Sequence, residues 1–106
     1  MSTDDQLAER VLKAYARFDM ALHSKGPFPE DEFERFFQAV WRYAEATKGQ
    51  SRIHRNVAET LYGLEDILQL EALRVPGRIL AAVDRLACLV FAGYDPQFEG
   101  DEPPGL

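Results

Sequence analysis

Residues 79–92 read ILAAVDRLACLVFA. At about 100° per residue, Ile79, Val83, Leu86 and Val90 fall on one stripe, the mark of a helix face turned to a core. The far side carries Ala81, Cys88 and Ala92, while Leu89 and Phe91 widen the stripe on its flanks. Only Asp84 and Arg85 are polar in this stretch. A helix apolar nearly all round is normally covered nearly all round. In a bundle of four helices one face meets water, so Ala81, Cys88 and Ala92 are expected to lie under a cover. The candidates are a second copy in a homodimer, a partner protein, or the end of the chain folded back. The plainer alternative is that alanine is simply a good helix former.

Three more periodic stretches precede this one. In residues 3–24, Leu7, Val11, Ala14, Tyr15, Phe18 and Leu22 recur at helical spacing, with Ser2 or Thr3 as a cap and Gly26-Pro27 as the stop. In residues 29–48, Phe33, Phe36, Phe37, Val40, Trp41 and Ala44 form the apolar face. Pro29 suits a first helical position, Glu30, Asp31 and Glu32 suit the positive end of the dipole, and Gly49 suits a C-terminal stop. In residues 52–72, with Ser51 as cap, Ile53, Val57, Leu61, Leu64, Ile67 and Leu68 share one face. Gly63 lies inside that helix, where either close approach of a neighbouring backbone or a tolerated defect costing roughly 1 kcal/mol would account for it. The fourth helix spans residues 76–92 and stops at Gly93.

The segments between helices are short, so the helices should alternate in direction. The sequence therefore predicts an all-α fold: an up-down antiparallel four-helix bundle over residues 1–93, followed by an acidic Pro/Gly-rich tail over 94–106, for which folding back on the bundle is one of the candidate arrangements. Charge agrees with this topology. Glu30, Asp31 and Glu32 should face Arg74 and Arg78 at one pole. Lys48, Arg52 and Arg55 should face the tail acids Asp95, Glu99, Asp101 and Glu102 at the other.

The net charge of −6 argues against nucleic acid as a partner, which needs a basic footprint. No stretch approaches the roughly 18 apolar residues of a membrane span, so no membrane partner is expected. The polar, acidic start lacks the pattern of a secretory signal, and the single Cys88 fits a reducing compartment; the expected location is cytoplasmic.

No motif declares a chemistry. There is no GxGxxG, no GxxxxGK[ST] and no HExxH, so no catalytic, metal or cofactor residues are assigned. Tyr62 sits opposite the core stripe of the third helix, among Arg55, Glu59, Glu65, Asp66 and Gln69. A tyrosine framed by Glu59 and Asp66 suits a hot spot for a basic partner, although single exposed aromatics are common. Lys48, Arg52, His54 and Arg55 surround the start of the third helix, a place for an anion or for the tail to dock.

The favoured reading is a small acidic non-enzymatic interaction or regulatory bundle, of the kind that acts as an inhibitor, immunity factor or adaptor, with a protein partner or a second copy of itself. The alternative is a helical-bundle enzyme or small-ligand or metal-binding protein. It would use Asp19, His23 and His54 near Trp41, with Tyr43 as a further wall.

Overall fold

The computed structural model describes residues 3–24, 26–70 and 75–93, and within them every regular element is helical. Helix α1 spans Thr3–Leu22, α2 Glu30–Thr47, α3 Arg55–Leu70 and α4 Gly77–Ala87. The last turn, Cys88–Ala92, widens into a π-type turn closed by a bond from the backbone N–H of Gly93 to the carbonyl of Cys88. Gly93 adopts φ 71°, a left-handed conformation that suits glycine. The acidic tail, 94–106, lies outside the described residues, as do Ser2, Arg74 and the expected end of the third helix beyond Leu70.

Directions alternate as expected. The starts of α1 and α3 share one pole with the end of α2, because Gln50 donates to Asp4 (3.0 Å) and His54 meets both Tyr43 and Asp5. The starts of α2 and α4 share the other pole, where Arg78 pairs with Glu30. The main packing contacts join α1 to α2 and α3, and α4 to α2 and α3. The molecule is therefore an all-α four-helix bundle in which the α1/α2 edge lies across from the α3/α4 edge.

The core follows the periodic stripes. Val11, Phe18 and Leu22 of α1 meet Phe33, Phe36, Val40 and Tyr43 of α2, and Val57, Leu61, Leu64 and Leu68 of α3 close on Ile79, Val83 and Leu86 of α4. Phe18 is fully buried and is surrounded by the rings of Phe28, Phe33 and Phe36 at centroid distances of 5.7, 5.5 and 6.2 Å. The contacts with Phe28 and Phe33 are edge-to-face and that with Phe36 is stacked, and aromatic pairs of these kinds add about 0.5–1.5 kcal/mol each to plain burial.

Three local expectations are corrected. Helix α3 begins at Arg55, three residues later than its apolar pattern and Ser51 suggest, because its first turn is capped from another helix. Pro29 precedes the first turn of α2 rather than opening it, and its carbonyl accepts the Phe33 N–H at 3.0 Å. Around Gly63 no heavy atom lies within 4 Å of where a Cβ would sit, so no close backbone explains this glycine.

Candidate functional site

Tyr62 is 64% exposed on the outer side of α3, as its place on the helical wheel implies. It is not isolated. Its ring stacks on Phe91 of the wide turn, with centroids 5.0 Å apart and planes at 27°. Phe91 is itself 39% exposed, so the two rings form an aromatic ledge open to solvent. Glu59, Glu65 and Asp66 are exposed along the same helix, and Asp84 is exposed on α4. The ledge is apolar, and Glu59, Glu65 and Asp66 stand within one helical turn of Tyr62.

The far side of α4 joins this ledge. Leu80 is 41% exposed, Ala81 is exposed, and Cys88 and Ala92 are half-buried. The Tyr62–Phe91 stack links the two surfaces, one on α3 and one on α4. Within the described residues, Tyr62, Glu59 and Asp66 thus lie on α3, and Ala81, Cys88 and Ala92 on α4 and its last turn, two elements that the Tyr62–Phe91 stack joins.

At the opposite-sign pole, the structure brings together groups that the sequence keeps apart. The hydroxyl of Tyr43, a fully buried residue, accepts the backbone N–H of His54 at 2.8 Å and lies 2.9 Å from His54 Nδ1. His54 Nε2 lies 2.6 Å from Asp5 Oδ1. With the ring neutral and its proton on Nε2, every bond is satisfied: Tyr43 donates to Nδ1, and Nε2–H donates to Asp5. His54 precedes the first turn of α3, and its carbonyl accepts the Ala58 N–H at 3.1 Å. Tyr43 thus satisfies one of the donors that a helix start leaves open, the one that the glutamate of a capping box serves in other helices.

The tyrosine's surroundings hold its proton firmly. Burial pushes the Tyr43 hydroxyl above the usual phenol range, the His54 N–H pulls it partly back, and the carboxylates of Asp4 and Asp5 raise it further. The Tyr43 phenol is buried, and this chain of Tyr, His and Asp contacts ties α1, α2 and α3 together. Arg52 lines a shallow hollow of about 270 Å³ beside it, with Asp4, Asp5, Gln50, Ile53 and His54. Arg55 is exposed on the first residue of α3, and Lys48 is exposed just after α2. The two aspartates bring negative charge to the basic loop and disfavour an external anion there.

The residues of the alternative reading are dispersed. His23 Nδ1 lies 2.8 Å from the Asp19 carbonyl and 3.3 Å from its carboxylate, at the exposed end of α1. His54 sits beside the start of that helix. His23 lies eighteen positions after Asp5, just past the other end of α1, or roughly 27 Å along the axis. Trp41 lies elsewhere again: it stacks on Phe37 (5.9 Å), donates to Glu45 (2.7 Å) and carries the Arg85 guanidinium over its ring at 4.6 Å. Among the described residues, no group of three or more His, Cys, Asp or Glu side chains is placed to hold a metal ion, and no helix is long and apolar enough to cross a membrane.

No protein-family model, curated protein or solved structure matches this chain.

Proposed function

We propose that the protein is a non-enzymatic interaction bundle whose contact face is the α3/α4 edge. The observation that carries this reading is the Tyr62–Phe91 stack, two large rings left open to solvent, with Glu59, Glu65 and Asp66 within one helical turn of Tyr62. Rigid aromatics supply contact area at little entropic cost and dominate binding hot spots. These carboxylates would favour a protein partner with a basic border around an apolar centre, and would speed its capture. The small residues Ala81, Cys88 and Ala92 extend the same surface and allow a helix to approach closely, whether it comes from a partner or from a second copy. The acidic net charge argues against nucleic acid as that partner. The lone thiol suits work in the cytoplasm.

The test is recovery of the tagged protein from its own cells, with its native mass measured beside variants Tyr62→Ala and Glu59→Lys/Asp66→Lys. The expected result is a defined complex that both variants weaken. A complex unaffected by either variant, or a bare monomer throughout, would remove the α3/α4 edge from consideration.

A further inference from the structure

The opposite edge of the bundle has the reverse character. Two adjoining hollows, each about 290 Å³, run along the seam between α1 and α2. They share Arg10, Arg35 and Ala39 in their walls, so they lie end to end and are described together as one groove. Leu7, Ala14 and Ala39 supply apolar lining, and Arg10, Lys13, Arg17, Arg35 and Arg42 supply cationic lining. On α1 the cations stand at positions 10, 13 and 17, and on α2 at 35 and 42, spacings that keep each set on one helix face.

The charge is uneven in a way that needs a cause. Five cations meet two carboxylates in the groove, Glu32 and Glu34, on a chain whose net charge is −6. Lys13 pairs with Glu9 at 3.0 Å. Arg10, Arg17, Arg35 and Arg42 are all exposed, and none forms an ion pair among the described residues. Like charges gathered this way repel one another, which an anionic occupant would relieve. Guanidinium groups match carboxylates with paired hydrogen bonds.

We infer that the α1/α2 groove is a binding site for a short acidic, amphipathic segment of a partner protein. Size and chemistry both point there. From the level of Leu7 to that of Arg17 the groove runs about 15 Å, the length of roughly three helical turns. The apolar lining has no use for a phosphate chain but receives the aliphatic side chains of an amphipathic segment. A nucleic acid would carry its charge past the ends of the groove and onto an acidic surface, where it is repelled. A short carboxylate-bearing segment ends where the cations end.

The experiment titrates the whole protein into a fluorescent helix-forming peptide of about 14 residues, with leucines on one face and glutamates on the other. Parallel titrations use the same peptide with lysine for glutamate, a single-stranded oligonucleotide, and pyrophosphate as competitor. The glutamate peptide is expected to bind, more weakly as salt rises, and Arg10→Glu/Arg35→Glu should weaken it at least about tenfold. Arg55→Glu, which reverses one exposed charge elsewhere, should leave binding unchanged. The charge-reversed residues are exposed, and unaltered circular dichroism would show that their variants fold. Absence of binding, an equal loss in Arg55→Glu, or tighter binding of the oligonucleotide would overturn the inference. So would full displacement by pyrophosphate. Binding that appears only after truncation following Gly93 would also overturn it, assigning the groove to the chain's own acidic residues 94–106.

Discussion

The rings of Tyr62 and Phe91 stack 5.0 Å apart although they belong to different elements, α3 and the wide turn after α4. Each remains open to solvent on its other side. Rings that served only to close the core would lie under it, as Phe18 and Phe36 do. The pair is a surface feature, and its energetic contribution to the fold should be correspondingly small.

Replacement of Tyr62 by alanine should therefore change the unfolding free energy by no more than about 1 kcal/mol. Phe18→Ala, which empties the centre of an aromatic cluster, should cost about 3–5 kcal/mol. Urea unfolding of the two variants checks this contrast. A large loss in Tyr62→Ala would make the ledge part of the core.

The Tyr43 hydroxyl satisfies both the backbone N–H and Nδ1 of His54. Tyr43→Phe keeps the ring and strands both groups in a part-buried place, so it should destabilise by about 1–3 kcal/mol. Asp5→Ala removes only the outer, mostly exposed link and should cost under about 1 kcal/mol. Equal losses in thermal melts of the two variants would contradict this ordering.

Stability should also fall at alkaline pH. The Tyr15 hydroxyl is pushed up by burial and then by Asp19, and that of Tyr43 by burial and the nearby aspartates against the pull of the His54 N–H. A group whose folded pKa lies above its unfolded value stabilises the fold below the unfolded value, about 10 for tyrosine. That contribution is lost as pH rises through the higher folded value. Ultraviolet titration of the phenols alongside unfolding should show two tyrosines ionising late and a loss of stability above about pH 10. In Tyr43→Phe the alkaline loss should shrink.

Gly63 has helical neighbours on both sides and open space where a Cβ would stand. Gly63→Ala should raise stability by roughly 1 kcal/mol, since it restricts the unfolded chain and favours the helix. A lowered melting temperature would mean that the position is more crowded than its surroundings show.

Much of the architecture was legible because the signals were local. Apolar residues recur at helical spacing, and glycines 26, 49 and 93, all with positive φ, stand at the breaks. The pairing of Arg78 with Glu30 followed from helices that alternate in direction. What escaped was non-local. Ser51 looks like a cap, yet the start of α3 is fixed by a hydroxyl from α2. The negative charge beside the basic loop comes from Asp4 and Asp5 of α1. Tyr62 could be placed on the outside from its own helix, but its contact with Phe91 depends on a turn wider than the regular wheel assumes. The two basic stripes, at 10, 13, 17 and at 35, 42, are each visible in the sequence. They become one groove only once α1 is known to lie against α2.

The borrowed cap of α3 also bears on the order in which the chain acquires its structure. A helix with its own capping residue can begin to form alone. Here the first turn gains its cap only when the end of α2 has already come alongside, so it is a product of docking rather than a seed for it. The junction between α2 and α3 should therefore settle together with the docking of those two helices, whose contacting residues Tyr43 and His54 lie close in sequence. It should also be among the first to let its backbone amides exchange when the bundle loosens.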